Sequence, residues 1–198
     1  MDFGNILLGA VNEFFTPTTA AYALAALGLA VHFGYTGLLN FGQAGFMAIG
    51  AYGFAIPTLS FNAPLPVALL IAMLASVAFA VLLGLPTLRL RADYLAIVTI
   101  AAAEIVRYVV TTNGLTEVTG SANGLAAFEG GFYSLNPFAP GQYNLGPFSL
   151  NERDLWIRVV AWTVVALACV VIWLLVRSPW GRVVKGINFE GLRDAGDP

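Results

Sequence analysis

Long apolar stretches separated by short polar breaks run through most of the chain. A helix needs about 20 apolar residues to cross the hydrocarbon core of a membrane. Five stretches reach about that length, so the pattern predicts five spanning helices, at about residues 18–38, 41–59, 64–86, 94–112 and 155–176. A polar segment rich in glycine and proline, residues 113–154, separates the last two spans.

Capping and breaking residues place the ends of these spans. Thr16 and Pro17 suit an N-cap and a first helical residue, so they predict the start of the first span. Pro57 and the turn region 60–66 predict the end of the second, and prolines bound the third on both sides. Asp93 predicts the N-cap of the fourth.

Composition and charge agree with a membrane protein. The chain is 59% hydrophobic and 10% charged, with a mean hydropathy of +0.80, whereas a soluble domain has about 25% charged residues. No Asp, Glu, Lys or Arg lies between Glu13 and Arg89. The N-terminus lacks the basic region of a signal peptide. We therefore predict an all-α, polytopic transmembrane helical bundle of about five to six membrane segments.

The basic residues predict how the bundle is oriented, because lysine and arginine collect on the cytoplasmic side. Arg89 and Arg91 lie between the third and fourth spans, and further basic residues follow the fifth. We therefore expect residues 113–154 to form an external loop and residues 177–198 to be cytoplasmic. Counting back puts the N-terminus outside. It would be cytoplasmic if 41–59 were a re-entrant or broken element.

The stretch "GYTGLLNFGQAGFMAIGAYG", residues 34–53, carries six glycines and no charge. Small residues spaced three or four apart allow helices in lipid to approach closely, which is one interpretation. The other is a helix interrupted near Asn40–Gly45, whose freed backbone groups line a polar path together with Asn40 and Gln43. Interhelical hydrogen bonding is the alternative role for these two side chains.

Two charged residues lie within the fourth span. Glu104 and Arg107 are three residues apart and therefore share a helix face. A charge inside the membrane is costly unless it is paired, so Arg107 is expected either to neutralise Glu104 in part or to snorkel outward. Such a pair either locks two helices together or lines and gates a translocation route. We assign no functional role to His32, which suits an interhelical hydrogen bond.

The segment after the last span is short, basic and amphipathic. It is either an anchor at the inner membrane surface or a cytoplasmic helix that docks on a partner protein; its candidate residues are Arg177, Gly181, Arg182, Val184 and Lys185. The chain contains no nucleotide-binding loop, hydrolase motif or metal-binding cluster, and its one cysteine, Cys169, supports no metal site. We therefore expect no enzyme activity, no cofactor and no nucleic-acid partner.

Four segments together resemble one family. "GYTGLLNFGQAGFMAIGAYG", "LPTLRLRADYLAIVTIAAAEIVR", "TGSANGL" and "VRSPWGR" occur in the order and spacing of the membrane permeases of branched-chain amino acid ABC importers, the LivM-like type. The resemblance implies a type II importer domain in the bacterial or archaeal cytoplasmic membrane, with ATP hydrolysis in separate subunits. The implied partners are a second permease subunit, two cytoplasmic ATPase subunits and an external substrate-binding protein.

The resemblance also assigns expected roles residue by residue. It puts Asn40 and Gln43 in the family's glycine-rich early helix, and Glu104 and Arg107 on the helix after a cytoplasmic turn. Ser121 and Asn123 match an external "GGxNG" element, in which Gly120 and Ser121 replace the double glycine. The approach to the ATPase-coupling helix corresponds to Arg177, Gly181, Arg182 and Lys185, which divides the chain into a permease region, 1–176, and a coupling segment with its tail, 177–198.

The end of the chain departs from the family. Family members continue past "GR" with a coupling segment and further spans, whereas this sequence ends at "INFEGLRDAGDP". We therefore expect a truncated or frameshifted gene product, or one piece of a split permease, that does not transport alone. The alternatives are a sibling importer for urea, short amides or sugars, a non-transporting helical scaffold, and a passive channel.

Overall fold

The structure is a computed structural model that describes residues 3–36, 40–87, 92–128, 130–145, 148–179 and 181. Its helices are α1 (Phe3–Phe14), α2 (Pro17–Val31), α3 (Gln43–Phe61), α4 (Leu65–Thr87), α5 (Ala92–Thr111), α6 (Thr116–Thr119) and α7 (Glu152–Arg177). A π-helical turn, His32–Thr36, continues α2. Short 3-10 turns cover Asn113–Leu115, Ser121–Asn123 and Gly130–Leu135, and two strands, β1 (Gln142–Leu145) and β2 (Phe148–Asn151), precede α7.

Four of the described helices are long and apolar enough to cross a membrane: Gln43–Phe61, Leu65–Leu85, Tyr94–Thr111 and Glu152–Arg177. They correspond to the second to fifth predicted spans. The first predicted span corresponds to α2 and its π turn. This segment is long and apolar enough for a span only when it is counted together with α1, from which it is bent by 55°. The sequence did not predict α1. The all-α, multi-span fold class is confirmed by these helices and differs only in the small hairpin of β1 and β2.

Two predicted helix ends are wrong. Pro57 lies inside α3 and is buried, and the helix continues to Phe61 and a left-handed cap at Asn62. Proline is tolerated inside membrane helices where surrounding groups compensate for the backbone hydrogen bond that it removes. Asp93 is not the N-cap of the fourth span, since α5 begins one residue earlier, at Ala92.

The chain divides into two compact units, and the first comprises residues 1–37 and 135–198. It contains α1, α2, the hairpin and α7. Thr16 caps α2 as predicted, with its Oγ1 accepting from the Thr19 N–H at 3.4 Å and Pro17 in the first turn. The strands pair antiparallel with Tyr143 opposite Leu150. This hairpin leads directly into α7.

The second unit, residues 38–134, contains α3, α4, α5 and the short helical turns that follow them. Glycines allow α3 to approach both neighbours. A Cβ atom added to Gly53 would lie 3.0 Å from the Cα atom of Ala72 on α4, and one added to Gly45 would lie 3.1 Å from the Cα atom of Ala103 on α5. Both distances are shorter than ordinary contact, so these two glycines serve close helix packing.

Most large apolar side chains of the long helices are exposed. Leu82 on α4 is 69% exposed, and Leu74 and Leu174 are also more than half exposed. In a soluble protein such surfaces would be covered, whereas lipid tails cover them in a membrane. The side chains buried within this fold are mostly small, such as Ala20, Ala55 and Ala68.

Candidate functional site

Two polar side chains hold the helix break in front of α3. The Asn40 Oδ1 atom accepts a hydrogen bond from the Gly42 N–H at 2.8 Å. The Thr99 hydroxyl, on α5, accepts from the Phe41 N–H at 3.1 Å and donates to the Ala96 carbonyl at 2.9 Å. Thr99 is only 2% exposed. Backbone groups within a membrane need partners inside the protein, so Asn40 and Thr99 satisfy the donors that the break frees.

A cleft of about 250 Å³ lies between α3 and α5 in the second unit. Its lining is mostly apolar, with one acidic and one basic side chain: Phe41, Ala44, Ala48, Ile100, Ala103, Glu104, Arg107 and Val110. Asn40 and Gln43 are absent from this lining, although the residue that follows each of them is present. Gln43 is half-buried at the first position of α3. The structure therefore brings Glu104 and Arg107 to the cleft. Asn40 instead stabilises the turn before α3 through its bond to the Gly42 N–H.

Glu104 and Arg107 form a two-pronged ion pair on α5. The Arg107 Nε donates to Glu104 Oε2 at 2.9 Å, and its Nη2 donates to Oε1 at 2.5 Å. The Arg107 guanidinium also lies 4.7 Å from the ring centroid of Tyr108. Paired hydrogen bonds of this kind fix the guanidinium and carboxylate planes relative to each other. Because both residues belong to one helix, the pair itself does not join two helices; it presents a neutral, polar patch to the cleft.

A second cleft, of about 300 Å³, lies between α3 and α4. It shares Ala48 and Val110 with the first cleft, and the rest of its lining is Ile49, Tyr52, Gly53, Ile56, Pro57, Ile71 and Ala75. No charged side chain lines it. Of these two clefts, only the one between α3 and α5 therefore carries charged side chains.

Hydroxyl groups close the C-terminal end of α5, where the last backbone carbonyls of a helix lack helical partners. Two hydroxyls from beyond the helix donate to such carbonyls, Thr119 to Val110 (2.7 Å) and Ser121 to Thr111 (2.8 Å). Thr111 and Thr112 donate to the Arg107 (2.8 Å) and Tyr108 (2.7 Å) carbonyls one turn earlier. The predicted external element thus begins as the cap of α5.

The backbone around Ser121 is tightly turned. Ser121 has a φ of 51° and lies between Gly120 and Gly124, whose φ angles are 72° and 67°. A Cβ atom on Gly120 would overlap the Gly124 carbonyl, so that position requires glycine. Ser121 is buried, whereas the Asn123 side chain is exposed. Ser121 therefore has a structural role in this fold, and Asn123 is free to meet a ligand or partner at the surface.

The coupling candidates lie at the end of the first unit. Arg177 is the last residue of α7, and its guanidinium lies 4.1 Å from the ring centroid of Trp173. Gly181 is buried, and a Cβ atom there would overlap the Val176 carbonyl. The chain therefore turns sharply back at a position where only glycine fits. Three candidates lie outside the described residues: Arg182, Val184 and Lys185.

A third charged residue inside a predicted span, Arg158, received no role from the sequence. Arg158 lies in α7, and its Nη1 donates to the Oδ1 atom of Asn12 at 2.8 Å and to the carbonyl of the same residue at 3.4 Å. Trp162, one turn further along, donates from Nε1 to the Phe15 carbonyl at 3.2 Å. A lone arginine within "LWIRVVAW" was the available signal. Nothing in the sequence around Asn12, which lies 146 residues away from Arg158, indicated that the two side chains bond.

Comparison with known proteins identifies a matching family. The family model described as the permease component of branched-chain amino acid transport systems matches residues 13–189. The match covers all the long helices and excludes most of α1. No solved structure matches the chain.

Two relatives have the same name, high-affinity branched-chain amino acid transport system permease protein LivM. They come from Salmonella typhimurium and Escherichia coli strain K12, and each is 48% identical over 102 residues. The aligned residues make up 52% of this chain and 24% of each relative. The chain thus spans about a quarter of the length of these relatives.

Proposed function

Because the chain belongs to the family of permease components of branched-chain amino acid transport systems, we propose that it is a membrane permease subunit, or part of one, of an ABC importer. Its cargo is a branched-chain or related amino acid. The observation that carries the proposal is 48% identity over 102 residues to two permeases named for that transport. The apolar spans support a multi-pass location, which we propose to be the bacterial or archaeal cytoplasmic membrane.

The proposed partners would supply the energy source and the further subunits that an ABC importer needs. Moving an amino acid against its gradient needs an energy source, and the sequence contains no phosphate-binding loop. We propose that two cytoplasmic ATPase subunits supply that energy. A second permease subunit would complete the path, and an external binding protein would deliver the substrate.

The contacts within the first unit support the proposed orientation. Asn12 and Phe15, just before α2, bond to Arg158 and Trp162, near the start of α7. The two helices therefore begin at the same end and run in the same direction. If α7 runs from outside to inside, as the basic residues after it suggest, α2 does so too. This supports an external N-terminus.

We propose that the substrate path includes the cleft between α3 and α5. An amino acid in water carries one positive and one negative group, and a branched-chain side chain is apolar. The cleft offers both charges on Glu104 and Arg107 beside apolar walls. We propose that Asn123, at the exposed turn that follows α5, meets the path at its external end. Asn40 and Gln43 would contribute through the shape of the helix break.

The test is uptake in the organism that carries the chain, with its gene deleted and then restored. Deletion should abolish high-affinity uptake of radiolabelled leucine, isoleucine and valine and leave urea and ribose uptake unchanged. Restoration of the wild-type gene should recover it. Loss of urea or sugar uptake instead would favour a sibling importer. Unchanged uptake of all these compounds would contradict the proposed function.

A second experiment tests the proposed ATPase contact. In residues 177–187 the basic residues Arg177, Arg182 and Lys185 share the segment with Val184. Replacing Val184 with Asp keeps every positive charge, so a membrane anchor should tolerate it, whereas a helix that docks through its apolar face should lose its partner. If the complex with Val184→Asp still co-purifies with its ATPase subunits and keeps substrate-stimulated hydrolysis, the coupling assignment is wrong.

A further inference from the structure

The first helix, α1, is amphipathic and short. Its apolar positions recur at the spacing of one helix face and are Phe3, Ile6, Leu7, Ala10, Val11 and Phe14. Twelve residues extend about 18 Å at 1.5 Å per residue, too little to cross a membrane, and α1 bends by 55° from α2. Phe3 is 77% exposed, and Ile6 and Leu7 are more than half exposed. These features fit a helix lying in the membrane interface.

A cavity of about 460 Å³ lies between the end of α1 and the start of α7, within the first unit. Its lining is apolar apart from one amide and one guanidinium: Val11, Asn12, Phe15, Leu150, Leu155, Arg158, Val159 and Trp162. The volume lies within the usual range of small-molecule sites. The cavity therefore has apolar walls that suit a hydrocarbon chain and one positive charge, on Arg158.

Arg158 lacks an anionic partner in the described part of the chain. Only one of its terminal nitrogens bonds to Asn12, and no carboxylate of the described residues lies within 4.0 Å of it. It lies six residues after Glu152, the start of α7, or about 9 Å along the helix axis. At that depth from the helix end an arginine reaches the headgroup region, where tryptophan also concentrates.

We propose that this cavity binds one phospholipid with an anionic headgroup. The phosphate accepts hydrogen bonds from the Arg158 donors that Asn12 leaves open, and an acyl chain covers Val11, Leu155 and Val159. A lipid fits better than the free carboxylate of a transported amino acid, because the cavity continues the exposed apolar face of α1. Of the lining residues, only Val11 and Asn12 precede the family match, which begins at Glu13, and the proposal does not depend on the proposed transport function.

Two variants test separately the positive charge of the site and the volume of its cavity. Arg158→Gln removes the charge and keeps a donor for the Asn12 carboxamide. Val159→Phe keeps the charge and narrows the cavity where the acyl chain would lie. Arg153→Gln is the matched control, because it removes a positive charge from the first turn of the same helix and Arg153 does not line the cavity.

The measurement is thermal unfolding of the purified, delipidated full-length chain in detergent during titration with phosphatidylglycerol or phosphatidylcholine of the same chain length. A ligand of the folded state raises the unfolding temperature with concentration. The wild type and Arg153→Gln should prefer phosphatidylglycerol. Arg158→Gln should bind it about fivefold more weakly, as expected for roughly 1 kcal/mol per basic residue near an anionic surface, and Val159→Phe should lose the response to both lipids.

The proposal is overturned if Arg158→Gln and Arg153→Gln respond alike to phosphatidylglycerol, or if Val159→Phe keeps the wild-type response. It is also overturned if leucine stabilises the wild type through Arg158 and phosphatidylglycerol does not. Unfolding temperatures measured without lipid show whether each variant folds. If Arg158→Gln does not fold, the response of Val159→Phe and the amount of phosphatidylglycerol that co-purifies with it decide the question.

Discussion

Replacing Gly53 with alanine should destabilise the second unit, whereas the same change at Gly50 should not. The two glycines are one turn apart on α3. A Cβ atom on Gly53 would lie 3.0 Å from the Ala72 Cα atom, which is backbone and cannot rotate away. One on Gly50 would lie 3.5 Å from the Ser76 Oγ atom, an ordinary contact. Gly50→Ala is therefore a matched control for helix propensity.

The expected magnitudes follow from two opposing effects. Alanine in place of glycine stabilises a helix by about 1 kcal/mol. Forcing an extra methyl group into a close contact costs about 1–3 kcal/mol. Gly50→Ala should therefore stabilise the fold by up to about 1 kcal/mol, and Gly53→Ala should change its stability by between roughly zero and a loss of 2 kcal/mol.

Pulse proteolysis of the purified variants in mixed detergent micelles, over a range of sodium dodecyl sulfate, measures the folded fraction of each. The difference in unfolding free energy between Gly53→Ala and Gly50→Ala is the decisive quantity, because propensity cancels in it. We expect Gly53→Ala to be less stable by about 1–3 kcal/mol. Equal stabilities would refute the view that the glycine-rich stretch serves close packing against α4.

The other predictions concern orientation, the ion pair and the cap of α5. In a cysteine-free background, Ser134→Cys should react with an impermeant thiol reagent in intact cells and Ser178→Cys should not; labelling of the second would reverse the proposed orientation. Glu104→Gln alone should reduce folded yield more than Glu104→Gln combined with Arg107→Leu, and a double-mutant coupling of zero in the unfolding free energy would show that the pair does not interact. Ser121→Ala should lower the unfolding free energy by about 1 kcal/mol, the usual loss for one hydrogen bond, and an unchanged proteolysis midpoint would contradict its capping role.

Local features of the sequence predicted much of this fold because their causes are local. Thr16 and Pro17 start α2 as expected, since a cap depends on residues within one turn of each other. The ion pair of Glu104 and Arg107 follows in the same way from their spacing on one helix. Runs of apolar residues likewise predicted the long helices, because the membrane sets their length.

Features that depend on distant partners could not be read from the sequence. Pro57 was predicted to end α3, but it is buried within the fold and the helix continues past it to Phe61. Nothing near Arg158 indicated Asn12, which lies 146 residues away. Thr99 looked like any threonine on an apolar helix, and only the fold shows that it bonds to the Phe41 N–H on another element.

The bond between Thr99 and Phe41 fixes residues 40–42, just before α3, to α5, so these residues do not form a hinge. A hinge must change its backbone angles freely, yet here the Phe41 N–H is held by α5 and the Gly42 N–H by Asn40. Opening the break would leave those donors without partners in a membrane, where each unsatisfied group costs several kcal/mol. A conformational cycle that moves this region would therefore carry α3 and α5 together as a rigid body, so that the cleft beside Glu104 keeps its shape as it moves.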